Sequence, residues 1–77
     1  MPTPDAVSLV SAELAEIEST WGAADRGDGV MLAVLVEEVG EVARALQDDP
    51  QQIQSELVQV AAVAIRWHTM IEARYRD

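Results

Sequence analysis

The side chains that invite chemistry fall in two short segments. Glu37, Glu38 and Glu41 stand together; Glu56 follows later, with the carboxamide of Gln59 three residues beyond it. At about 100° per residue, Glu38 shares its direction with Val34 and Ala45 on one side and with Met31, Val42 and Leu35 on the other. It therefore lies inside an apolar stripe, while Glu41 and Glu37 fall about 60° and 100° toward the polar side. Glu56 points with Val63 and Trp67, flanked by Val60, Met70, Ile53 and Ile71. An ionised carboxylate among apolar side chains is costly unless something compensates it. Two such placements call for a shared partner. Arg44 lies on the polar flank of its helix and Arg66 near the edge of the next, so neither suits the role. A divalent cation does, and oxygen donors without His or Cys suit magnesium or manganese. Two plainer alternatives stay open: the acids line a solvated face, or they cross a wet interface between subunits.

Three helices must position these residues. The first is expected to open at Thr3-Pro4-Asp5, with Thr3 as cap, Pro4 in the first turn and Asp5 at the positive dipole end. Val7, Val10, Leu14, Ile17 and Trp21 then form an apolar stripe, with Glu13, Glu16 and Glu18 read as a solvated face. A glycine-rich and aspartate-rich loop covers 22–29, and Asp28 is available to cap the second helix. The second helix is predicted over about 30–46 and the third over about 50–75. Between them Asp49 can cap, Pro50 can take the first turn and Gln52 can close a capping box. A break this tight makes the two an antiparallel hairpin. Glu41 and Glu56 are equally distant from the Asp48–Asp49 turn, as are Glu38 and Gln59. At about 1.5 Å per residue, each pair shares one height along the hairpin.

Composition bounds the partners. The chain has 77 residues, no cysteine, and 14 acids against five basic residues, all arginine, for a net charge of −9. That charge argues against a nucleic-acid polymer or an anionic membrane surface and suits cations, or anions bridged by cations. The 49% hydrophobic content indicates a globular domain rather than a disordered one. The N-terminal segment has neither the basic nor the apolar part of a signal peptide, and the apolar run 58–65 is too short to span a bilayer. The expectation is a cytoplasmic protein. The whole chain, 1–77, reads as a single all-α domain. A domain this small normally needs a partner or a bound metal for support. The expected assembly is a homodimer or homotetramer, a multi-helix bundle built through apolar faces of the second and third helices.

The segment Glu37-Glu38-Val39-Gly40-Glu41-Val42-Ala43, followed after a turn by Glu56-Leu57-Val58-Gln59, resembles the MazG-like all-α nucleotide pyrophosphohydrolases. Phosphoribosyl-ATP pyrophosphohydrolases and dimeric dUTPases are similar relatives of that family. Its hallmark is Glu-x-x-Glu on one helix and Glu-x-x-Asp on the next. The resemblance covers about Leu32 to Trp67. It implies cleavage of a nucleoside triphosphate between the α and β phosphates, giving a monophosphate and pyrophosphate, with Mg2+ or Mn2+. It implies Glu38, Glu41, Glu56 and Gln59 as metal ligands, with Glu37 and Glu38 assisting water activation. Gln59 departs from the family pattern, because an amide oxygen ligates a hard cation without bringing negative charge. A weak or inactive enzyme, acting as a nucleotide-binding or oligomerisation module, is the alternative. Arg66, on the same edge as Gln59, is a candidate phosphate contact, and Trp67 a candidate stacking partner for a base. His68 lies away from the Glu56 direction and reads as a packed or interfacial residue, and Glu72 with Arg76 as a surface pair.

Overall fold

Asp5 starts the first helix. Its extended backbone and carboxylate make it the cap, and its Oδ1 accepts a hydrogen bond from the Ser8 N–H at 2.8 Å. The computed structural model describes residues 5–76, so the expected roles of Thr3 and Pro4 lie outside the described residues. Helix α1 runs Ala6–Trp21 and ends at Gly22, whose φ of 75° is a glycine conformation and whose N–H closes the last turn on the Glu18 carbonyl. After the loop, α2 runs Asp28–Asp48. Asp28 does not cap it. Gly27 holds that position with a φ of 87°, and Asp28 is the first helical residue, its carboxylate turned to α3 instead. A 310 turn, Pro50–Gln52, leads into α3, Ile53–Arg74. Asp49 makes no side-chain cap there, and the expected capping box with Gln52 is replaced by a backbone bond from Gln52 N–H to the Asp49 carbonyl.

The described residues contain no strand. Asp28, at the start of α2, meets Trp67 and Arg74 late in α3, so the two helices run antiparallel. Helix α3 is the middle element: α1 and α2 both pack on it and not on one another. The result is flat, 43 × 31 × 18 Å. The core sits along α3, where Ala62, Val63 and Met70 meet Ile17 of α1 and Met31 of α2, closed by Val10, Leu14, Trp21, Val34, Leu35 and Trp67. The stripe expected on the first helix is thus realised from Val10 onward. Val7 stays 75% exposed, because the core begins one turn later. None of the described helices is long and apolar enough to cross a membrane.

Candidate functional site

Glu38 is half-buried on the face that α2 turns to α3. Burial pushes its carboxyl above the ordinary glutamate value, and the charge of Glu56 adds to this, followed by Glu37, Glu41 and Glu13. Every neighbour named there is an acid, and among the described residues no arginine pairs with Glu38. Glu56, half-buried in the first turn of α3, gains from the positive end of that helix. Glu37 is exposed. Glu41 is engaged on the surface by Arg44, 2.9 Å away, an exposed pair that contributes little to stability.

Gln59 is half-buried and faces a groove of about 920 Å³ between α1 and α3, together with Glu13, Val10, Leu57 and Val58. Glu13 departs from the solvated face expected of it. It is half-buried and near enough to Glu38 to raise that carboxyl further. The signal was present in the sequence: Glu13 stands three residues after Val10 and four before Ile17, at the margin of the apolar stripe.

The two residues expected to meet substrate are engaged within the fold. Arg66 is 5% exposed, and its Nη2 donates to the carbonyls of Gly22 at 2.7 Å and Ala24 at 3.3 Å. It closes the C-terminal end of α1, where the last carbonyls have no helical partner. The indole of Trp67 packs on the core, and its Nε1 donates to Asp28 at 2.8 Å. His68 is exposed, and Glu72 and Arg76 form the expected surface pair at 2.8 Å.

A second set of charges was not legible beforehand. Arg74 donates to both Asp25 and Asp28, fastening the loop and the start of α2 to the end of α3. The arginine and the Trp67 N–H hold the Asp28 carboxyl down at about 2, and the Arg74 bond also lowers Asp25. The same two aspartates push the guanidinium of Arg74 up. Nearby, Arg26 lies over the Trp21 ring, 4.7 Å from its centre. Asp25 and Arg26 sit in an irregular loop, where no periodicity shows direction.

Among the described residues, no three His, Asp or Glu side chains are gathered closely enough to enclose a metal ion. The acids around Glu38 nevertheless fit a hard divalent cation in donor chemistry, being all oxygen, and in charge, since no positive group among the described residues pairs with Glu38. No family model, curated protein or solved structure matches the chain.

Proposed function

We propose that this chain is a small nucleotide pyrophosphohydrolase of the MazG-like kind, dependent on Mg2+ or Mn2+, working as a homodimer or homotetramer. One observation carries the reading: Glu38 is half-buried within electrostatic reach of Glu56, Glu37, Glu41 and Glu13, and no base among the described residues pairs with it. A fold accepts such an arrangement where an external positive charge completes it. Glu38, Glu41, Glu56 and Gln59 would hold the cation, which requires Glu41 to leave Arg44 and Gln59 to turn from the groove between α1 and α3. Bound there, a divalent cation supplies charge to a triphosphate and makes water a better nucleophile. Glu37, exposed and next to Glu38 in the chain, would accept the proton from water. Arg66 and Trp67 are left out of the substrate contacts, because both are tied to the Gly22–Asp28 segment.

The test is incubation with Mg2+ or Mn2+ and a panel of canonical and modified nucleoside triphosphates. Monophosphate and pyrophosphate appear with the wild-type chain and are abolished by Glu38→Gln. A panel left intact with both metals removes the catalytic reading.

A second reading, a helical binding or oligomerisation module without turnover, is favoured by Gln59, which lacks the charge of the family's Asp. Tight nucleotide binding with no product would decide for it.

A further inference from the structure

Arg66 ties the C-terminal end of α1 to α3, and at the other end of that contact lies the groove of about 920 Å³. Its lining is apolar along the middle. Leu9 and Leu57 are 43% and 50% exposed there, beside the half-buried Val10 and Val58. The α1 side carries Glu13 and Glu16, and the α3 side carries the uncharged Gln54 and Ser55. No basic residue lines the groove. Among the described residues, neither Glu13 nor Glu16 has a salt-bridge partner.

We propose that this groove receives a basic amphipathic helix of a different protein. Charge selects the occupant. An apolar lining with carboxylates along one edge calls for a partner that is apolar on one face and cationic beside it. No side chain of this chain is available to supply the cation. It has no lysine, and its five arginines are committed. Arg26 lies over Trp21, Arg44 holds Glu41, and Arg66 closes the end of α1. Arg74 holds Asp25 and Asp28, and Arg76 holds Glu72. A second copy would bring a charge of −9 against the same acids. Shape selects a helix. The groove follows Ala6 to Glu16 on α1 and Gln51 to Ala61 on α3, about 15 Å along each. That length takes about three turns of a third helix. Its apolar residues at i, i+3 or i+4, and i+7 would seat on Leu9 and Leu57, with Lys or Arg on its flank over Glu13 and Glu16. Half-exposed leucines along an open groove suit such a segment better than an enclosed small molecule. The assignment stands whether or not the chain hydrolyses nucleotides.

The test uses three labelled synthetic peptides of about 15 residues, long enough to hold a helix. One carries leucines on one face and lysines on its flanks. The second has glutamate in place of each lysine, and the third scrambles the first. Fluorescence anisotropy with the full chain measures affinity, and amide NMR of the chain locates the contact. The basic amphipathic peptide is expected to bind at least about tenfold more tightly than either control. It should shift Leu9, Glu16 and Leu57. Added salt should weaken it. Leu57→Glu should abolish binding. Glu16→Lys should weaken it about fivefold, the effect of losing an exposed ion pair. Both positions are exposed, and unchanged helicity by circular dichroism shows that each variant folds. Failure of the basic peptide to bind overturns the proposal. So does equal binding of the scrambled peptide, which marks general attraction to an acidic chain, and so do shifts confined to another face. Concentration-dependent shifts at Leu9 and Leu57 in the chain alone would give the groove to a second copy and overturn it as well.

Discussion

Two stretches of the α2–α3 contact treat charge in opposite ways. Where α2 begins, Arg74 meets Asp25 and Asp28, and Arg66 holds two carbonyls at the end of α1. Toward the middle of the same contact, Glu38 faces Glu56, with Glu37, Glu41 and Glu13 around it, and meets no arginine. The first arrangement lowers its carboxyls and fastens a loop that would otherwise hang from α1. The second raises its carboxyl and leaves it unfastened. Paired charge marks where this chain is held together. The uncompensated carboxylate of Glu38, on a packed face, is where an added cation would have most to offset.

The largest expected effect tests the fastened end. Arg66→Ala removes a buried side chain and orphans carbonyls at the α1 terminus, so urea unfolding should show a loss of about 2–4 kcal/mol. A loss below about 1 kcal/mol would mean that α1 is held by its apolar stripe alone. Next comes the acid-rich region with a cation supplied. Free Mn2+ at about 100 times its dissociation constant should stabilise the wild-type chain by about 2.7 kcal/mol, read as a higher Tm. Glu38→Gln should not respond. An equal Tm shift in both chains would place the cation elsewhere.

Without metal, the comparison sharpens into a difference of sign. Glu38→Gln relieves a half-buried carboxylate of its like-charged neighbours, so the variant should be more stable at neutral pH, by at most about 1 kcal/mol given its partial exposure. Asp28→Asn breaks bonds from Arg74 and Trp67 and should be less stable. Each substitution removes one negative charge from a chain at −9, so an effect of net charge alone would move both in the same direction. If both variants gain stability, the distinction between the two regions fails.

How much of this was legible in the sequence depended on periodicity. Glu38 and Glu56 announced themselves because each interrupts an apolar direction that α2 and α3 do bury, through Met31 and Ala45 on one and Val63 and Met70 on the other. Gly22 and Pro50 marked breaks where the chain does turn. The caps were less legible. Thr3, Asp5, Asp28 and Asp49 all have capping chemistry, and what decides is which backbone turns helical first, a matter of one residue. The burial of Arg66 is hidden in the sequence because a wheel gives direction and not depth. At the edge of the Glu56 face it looked accessible, yet α1 ends directly over it. The partnership of Arg74 with Asp25 joins residues far apart in sequence through an irregular loop, and no local pattern encodes it. Leu32, Val36, Val39 and Leu46 are also apolar and lie on α2, and only burial shows that the fold leaves them open.

The smallest effect, and the most diagnostic, is the shape of stability against pH. A carboxyl raised by folding binds its proton more tightly in the native state, so its penalty is full above the raised value and disappears toward the ordinary glutamate value of 4.5. Glu38 should therefore make the chain slightly more stable as neutral solution is acidified. Asp25 and Asp28 act in the opposite sense. Their contribution is complete above the ordinary aspartate value of 3.8 and is lost as pH falls through about 2, where Asp28 takes up its proton. Asp5, lowered by its bond to the Ser8 N–H, adds to the same loss. The two regions together predict a stability maximum in mild acid, with a shallow neutral side and a steeper acid side. Urea midpoints measured from neutral pH down to about 2 would trace it. Glu38→Gln should flatten the neutral side and leave the acid side intact. Asp28→Asn should weaken the acid side and leave the neutral one. Should Glu38→Gln retain the full rise on acidification, relief of general repulsion would explain the neutral side, and Glu38 would lose its standing as the uncompensated charge.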